Sequence, residues 1–439
     1  MESAGTYHTH AVIISIGDEI TQGEALDTNT QWLAQQLVAR GVGVSAHVTA
    51  PDDLATLVRA LREASDRAPL VICTGGLGPT DDDLTRRALA DASGEELVRD
   101  EGALDALRAW FSARGRDVLE MNAVQAMRPA RGRCLTNPHG TAPGIFVRIG
   151  ESDVYAMPGP PREMRPMFDE HVAPDLRPNP AHTIVMRSIL TAGISESNVA
   201  QRLGELTARD RNPNVATTAS LGLVTCRLRY EGPETDDARR ALDELESRVR
   251  EGLGAYAFAT GETTIQAHTV ERLKARGAAL VTAESCTGGM VSELITGVPG
   301  CSSVYLGGCV AYHNESKIAQ LGVKRETIER YGAVSERTAR EMAHGLIERY
   351  AIDGFEDEFG VSITGVAGPS GGTEEKPVGT VYIGLAHRDA DGAISDDIRR
   401  FRFPGSRADI RRRTSVSALM MLIRLIEGEP APELLWQSS

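Results

Sequence analysis

The sequence has no CxxC pair and no histidine cluster at zinc-site spacing; its six cysteines, Cys73, Cys134, Cys226, Cys286, Cys301 and Cys309, are scattered. That excludes a metal-ribbon scaffold and predicts reduced, mostly buried thiols. No apolar run approaches the roughly 18 residues that span a bilayer, and the opening MESAGTYHTH lacks the basic-then-apolar order of an export signal, so no membrane partner and a cytoplasmic location are expected. Positive charge is also short, with 47 Lys and Arg against 61 Asp and Glu and a formal charge of -14. Covering nucleic acid by phosphate neutralisation needs a dense basic face, so nucleic acid is not an expected partner, although local basic pockets stay open.

What is present is 439 residues, 41% of them hydrophobic. At about 150 residues per domain this suggests two to four domains, each with its own core. Up to about Phe168, short β-branched runs alternate with helical patterns, as in βαβ units around a largely parallel sheet. Strands are predicted at Ala11 to Ile16 and Leu70 to Cys73, with an N-cap at Asp27-Thr28-Asn29 and a helix stop at Gly94. Prolines in MPGPPREM and APDLRPNP mark a boundary. From His182 to about Phe258 a smaller α+β pattern follows, with strands at Thr183 to Leu190 and Leu223 to Tyr230. From Thr263 the α/β texture returns, with strands at Ala279 to Thr282, Ser303 to Tyr312, Gly360 to Thr364 and Thr380 to Leu385, and a helix from Ala408 to Ile426. The FEDEFG stretch, Phe355 to Gly360, reads as a lengthened surface loop.

In the first segment the strand at Leu70 runs into GGLGPTDDDLT. Glycines at 75, 76 and 78 let several amide N–H groups converge on an anion at a helix start. Asp81, Asp82 and Asp83 beside them would suit a divalent cation bridging carboxylate and phosphate oxygens. A glycine turn with aspartate caps is the competing reading. IGDEITQG followed by DTN, then GGLGPTDDDLT, NAVQAMRP, GTAPG and MPGPPREM closely resemble the molybdopterin-binding-like domain of the competence/damage-inducible CinA family. The resemblance implies ADP-ribose pyrophosphatase activity with Mg, Mn or Co. Gly75, Gly76, Gly78 and Thr80 would then hold pyrophosphate, and Asp83, Asp18 and Asp27 would serve the metal. A molybdopterin-binding or dimerising module, or an interaction protein in competence or DNA damage, stays open.

The middle segment resembles the family's small KH-like domain. A nucleic-acid-binding KH module clamps the backbone with a GxxG loop. Here the corresponding turn reads AGISES, without that loop, so a structural or dimerising role is expected.

In the last segment ALVT runs into AESCTGG and the helical MVSELIT. Gly288 and Gly289 at a strand-to-helix turn place N–H donors at the sheet's C-terminal edge. Cys286 has no recognisable histidine partner and reads as packed rather than nucleophilic. PGCSS and AYHNESK follow, with Asn314 as a helix N-cap. Lys317 in the first turn would have its pKa pushed down by burial and the positive helix end, and Tyr312 stands close by. A serine activated by a neutral lysine is an amidase arrangement.

AESCTGG, PGCSS, AYHNESK, GAVSE, TGVAGP, GGTEEKPVGTV and GSR resemble the CinA carboxy-terminal domain, which implies nicotinamide mononucleotide deamidation without a metal. Carried over, Ser302 is the nucleophile, with Ser303 as the alternative, Lys317 the base and Tyr312 the relay. Ser285 adds to the catalytic set and contacts substrate. Thr287, Gly288, Gly289, Thr364, Gly365, Gly368 and Arg407 would bind it. The fold expected is a multidomain α/β chain. It comprises a molybdopterin-binding-like α/β domain at 1–172, a KH-like α+β domain at 173–260 and an α/β amidase domain at 261–431, assembled as a homodimer.

Overall fold

The computed structural model describes residues 7–181, 183–233, 235–350, 354–355 and 357–438. They divide into two compact units. One reaches to Met186 and takes in Tyr230–Arg239; the other comprises Arg187–Arg229 and the chain from Arg240 onward.

The first unit carries strands β1 (His10–Ile16), β2 (Gly43–Ala50), β3 (Leu70–Thr74), a small pair β4 (Leu97–Arg99) and β5 (Met127–Pro129), then β6 (Arg133–Leu135), β7 (Gly144–Ile149) and β8 (Ser152–Met157). Six of them form a sheet in the order β2-β1-β3-β8-β7-β6. The pairs from β2 to β8 are parallel, and β7 turns antiparallel on both β8 and β6. β1 and β3 are buried on both faces, which is why they read as continuous apolar runs. Val12, Ile14 and Val71 pack with Leu57 and Leu61 on one side. Ala11, Ile13 and Ile72 pack with Leu33 and Leu37 on the other. Asp27 caps the helix Thr28–Ala39, accepting from the Thr30 N–H at 3.0 Å, and Gly94 ends the helix Thr85–Ser93 at a left-handed φ of 69°.

A four-stranded sheet, most of whose residues belong to the second unit, is made of β9 (Thr183–Ala192), β10 (Asn214–Ser220), β11 (Leu223–Gly232) and β12 (Ala257–Thr260), ordered β10-β11-β9-β12. β10 escapes the sequence pattern because only Val215 along it is buried. The larger sheet holds β13 (Ala278–Glu284), β14 (Tyr305–Val310), β15 (Asp357–Gly365), β16 (Thr380–Arg388), β17 (Ile394–Arg402) and β18 (Gln437–Ser438), in the order β14-β13-β15-β16-β17-β18. β14, β13 and β15 are parallel and the rest antiparallel. The helix Arg407–Ile426 runs through its core, with Leu419, Met420 and Leu422 fully buried.

The FEDEFG stretch is a correction: β15 begins at Asp357, and Phe359 is fully buried and stacked on His387 at 4.6 Å. Strand alternation turns the phenylalanine inward while Glu358 pairs with Arg388 at 3.3 Å. Glu356 lies outside the described residues.

Beyond the long helix the chain returns as a strap. Leu434 packs on Gly193, the Leu435 N–H donates to the Gly193 carbonyl at 2.7 Å, and Trp436 lies against Gly222 and edge-on to Phe403 at 5.8 Å. Arg399 holds the Ala431 and Pro432 carbonyls at 3.0 and 2.7 Å. No helix among the described residues is long and apolar enough to cross a membrane.

Candidate active site

Along β13, β14 and β15, Glu284 stands level with Val310 and Ile363, so the segments leaving all three strands gather at one edge of the sheet. β13 is followed by Ser285-Cys286-Thr287-Gly288-Gly289 and the helix Met290–Thr296. Gly288 and Gly289 adopt φ of 62° and 92°, where a Cβ would be strained. The Ser285 N–H donates to the Ile363 carbonyl and the Gly288 N–H to the Ser285 carbonyl, both at 3.0 Å. β14 leads through Ala311 and Tyr312 into the helix Asn314–Leu321, which brings Lys317 back over the same edge. Lys317 Nζ lies 3.0 Å from Ser285 Oγ and donates to the Ala311 and Tyr312 carbonyls at 2.9 and 3.2 Å.

Lys317 is buried, and among the described residues no carboxylate comes within ion-pair distance of it. Burial therefore pushes its pKa below the ordinary lysine range, with the Cys286 thiol acting in the opposite sense. Burial, rather than the helix end, is the cause. The cap is His313, whose Nδ1 accepts from the Glu315 N–H at 3.2 Å, and Asn314 is the first helical residue. Lysine occurs only at 274, 317, 324 and 376, against 43 arginines. A chain that otherwise prefers arginine thus keeps, at this buried position, the one cationic side chain that can shed its proton.

Ser302 does not meet this pair. It is exposed in the turn Cys301–Ser303 ahead of β14, whereas Lys317 follows the far end of that strand. Six strand residues separate them, roughly 20 Å, so the expected Ser302–Tyr312–Lys317 relay is not formed. Ser303 shares that edge and donates to the Gly300 carbonyl at 3.0 Å. PGCSS is a turn built on the left-handed Gly300 at φ 74°. Tyr312 meets Lys317 only through its carbonyl; its exposed phenol accepts from Arg407 Nη2 at 2.7 Å, and Arg407 Nη1 holds the Gly368 carbonyl at 2.7 Å. Thr364 is buried at the end of β15, beside Gly365, and donates to the Ala333 carbonyl at 2.7 Å.

Two residues that sequence reasoning did not assign shape the turn. Glu284, fully buried, accepts from the Val291 and Ser292 N–H groups at 3.1 and 2.8 Å and from the Ser292 hydroxyl at 2.8 Å. Arg411 donates from Nε and Nη2 to the Thr287 carbonyl at 3.0 and 2.6 Å. Glu284 was signalled only by its place inside AESCTGG, and Arg411, 124 positions away from Thr287, by nothing. Thr287 is buried with its hydroxyl unpartnered, and among the described residues no acceptor meets the N–H of Thr287 or Gly289.

The first unit has a cavity of about 440 Å³ lined by Gly75, Gly76, Gly78 and Thr80, and also by Asn29 and Gln125. Asp83 folds into the glycine turn: it accepts from the Gly78 N–H at 2.6 Å and from the Thr80 N–H and hydroxyl at 2.9 and 2.5 Å. Buried Arg86 grips the other side of that turn through the Leu77 and Gly78 carbonyls. The Asp18 N–H donates to the Asp52 carboxylate at 3.0 Å and the Asp52 N–H to the Asp18 carboxylate at 3.2 Å, and burial together with the charge of Asp18, Glu19 and Asp82 raises the Asp52 pKa. A divalent cation needs several converging oxygen ligands. Asp83, Asp18 and Asp27 are each turned onto backbone N–H groups, and among the described residues no three His, Cys, Asp or Glu side chains are placed to hold a metal ion. These residues do not fit the metal centre expected of them.

Three family models match the chain: "Probable molybdopterin binding domain" over residues 12–178, "Damage-inducible protein CinA KH domain" over 186–259 and "CinA C-terminal domain" over 262–426. A "Putative competence-damage inducible protein" of Moorella thermoacetica is 41% identical over 422 residues, covering 95% of this chain and 99% of that one. The chain belongs to the CinA family. A "CinA-like protein" of Dictyoglomus thermophilum is 39% identical, covering 94% of this chain and 98% of its own. Among solved structures, a competence/damage inducible protein from Agrobacterium tumefaciens is 38% identical, covering 37% of this chain and 96% of its own, with a TM-score of 0.33. This CinA-family chain therefore has a molybdopterin-binding-like, a KH-like and a C-terminal CinA domain, all of mixed α/β build.

Proposed function

We propose that this protein hydrolyses the carboxamide of nicotinamide mononucleotide at Ser285, yielding nicotinic acid mononucleotide and ammonia. The observation that carries it is the Ser285 hydroxyl 3.0 Å from a buried lysine amine with no carboxylate partner. Nucleotide identity rests on the resemblance of AESCTGG, AYHNESK and TGVAGP. Lys317, neutral, takes the proton as Ser285 Oγ attacks the carboxamide carbon. The N–H groups of Thr287 and Gly289, which meet no acceptor among the described residues, are donors available to the developing oxyanion. Lys317 then hands its proton to the departing nitrogen, ammonia leaves, and an acyl-serine ester remains. Water, deprotonated by the same amine, attacks that ester and releases the acid and the Ser285 hydroxyl. Arg407, which bridges Tyr312 and Gly368 at the rim, supplies a cation for the substrate phosphate. Ammonia release from nicotinamide mononucleotide tests the reading: no product from wild type, or full activity in Ser285→Ala, overturns it.

A second reading concerns the first unit, whose cavity takes a phosphate-bearing ligand, ADP-ribose or a molybdopterin. Support comes from two buried acceptors lining it without a partner, Gln125 Oε1 and Asn29 Oδ1, which a ligand's hydroxyl or amino groups would satisfy. Calorimetric titration with each ligand, with product analysis, separates binding from turnover. Homodimer formation and the absence of nucleic-acid binding belong to the same proposal, read by analytical ultracentrifugation and gel shift.

A further inference from the structure

We infer that Arg411 is a positioning residue for the Ser285 nucleophile, acting through the single peptide unit that joins Thr287 to Gly288; the inference rests on the Ser285–Lys317 reading above. The two ends of that peptide do different work. Its carbonyl, on Thr287, is gripped by two donors of the Arg411 guanidinium, at 3.0 and 2.6 Å. Its N–H, on Gly288, points the other way and donates to the carbonyl of Ser285 at 3.0 Å. A guanidinium holding the oxygen with two N–H groups fixes the plane of a peptide as a single-donor contact does not. Fixing that plane fixes the donor on its far side, and with it the Ser285 carbonyl.

The rest of the turn is already tied. The Ser285 N–H is bound to the Ile363 carbonyl on β15, and the helix start beyond Gly289 is held by the Glu284 carboxylate through Val291 and Ser292. Between these anchors Gly288 and Gly289 adopt left-handed conformations, so nothing intrinsic to their backbones fixes the peptide between Thr287 and Gly288. Arg411 supplies that missing constraint from the helix Arg407–Ile426, half-buried and without a salt bridge to a carboxylate among the described residues. Loss of its grip frees the 287–288 peptide to rotate, which moves Ser285 Oγ off Lys317 and turns the Thr287 and Gly289 N–H groups away from the oxyanion.

The test uses the full chain with Arg411→Lys and Arg411→Gln, and Arg412→Lys at the exposed neighbouring position as a control. Two rates are measured. One is the sulfonylation of Ser285 by phenylmethylsulfonyl fluoride, in which the serine oxygen bonds to sulfur, fluoride departs and the hydroxyl proton is lost to base, followed by mass spectrometry of the peptide. The other is ammonia release. Both Arg411 variants should lose about 10- to 100-fold in each rate, in kcat rather than KM, with the pH midpoint of the reaction unchanged. Methylguanidinium added to Arg411→Gln should restore part of the loss, which a general fault of folding would not allow. Arg411 variants that are sulfonylated at the wild-type rate, or that differ only in melting temperature, overturn the inference. If wild type is sulfonylated at Ser285 yet releases no ammonia, the substrate reading falls and the sulfonylation rates alone decide the role of Arg411. If Ser285 is not sulfonylated in wild type, both fall.

Discussion

Ser285 and Lys317 stand 32 positions apart in the chain and 3.0 Å apart at oxygen and nitrogen, delivered by the neighbouring parallel strands β13 and β14 to one sheet edge. Ser302 lies at the other edge. Ser285→Ala should therefore lower ammonia release by about a thousandfold or more, the scale on which loss of a nucleophile is felt, while Ser302→Ala stays within a few-fold of wild type. Parallel assays of the two variants decide between the serines.

Activity should rise with pH through a midpoint below the ordinary lysine value of 10.5, because the neutral amine is the base and burial lowers its pKa. The stability sign follows from the same shift. Between the lowered folded pKa and 10.5 the unfolded chain binds a proton that the folded chain does not, so burying Lys317 weakens the fold most at low pH and least above 10.5. Lys317→Met should be inactive, and its melting temperature relative to wild type should climb as pH falls. A flat difference across pH would show that Lys317 titrates normally.

Cys286 sits beside the nucleophile, but burial pushes its thiol up to about 12. It should resist iodoacetamide in the native protein at neutral pH, and Cys286→Ala should retain activity within a few-fold. Rapid native alkylation at Cys286, seen by mass spectrometry, would contradict this.

In the first unit, Asp83→Ala leaves the N–H groups of Gly78 and Thr80 and the Thr80 hydroxyl without their acceptor. A cost of about 1–2 kcal/mol in urea unfolding is expected, as for loss of a helix cap. A variant as stable as wild type would mean the carboxylate is not holding the turn.

Much of the fold was legible where periodicity and burial agree, as in AVIISI, LVICT and ALVT, whose strands are buried on both faces. β17 was not, because ISDDIRRFR carries its charges on a strand whose only fully buried residue is Phe401. The glycine turns were also legible, since Gly288, Gly289, Gly75 and Gly76 all need positive φ. What sequence could not supply was which strand end each motif occupies. PGCSS and AYHNESK flank the same strand, and only the direction of β14 shows that Ser302 and Lys317 leave from opposite edges. Both glycine turns are also held by an arginine on a carbonyl, Arg86 from the helix that follows its own turn and Arg411 from 124 positions away, and no local pattern announces the second contact.

The strap of Leu434, Leu435 and Trp436 works as a keystone, seated on Gly193 and Gly222 beside the small sheet and against Phe403 beside the large one. Cutting after Ile426, where the long helix ends, would empty the seat on Gly193 and strip Trp436 from Gly222 and Phe403, so the small and large sheets would lose a wedge that they share.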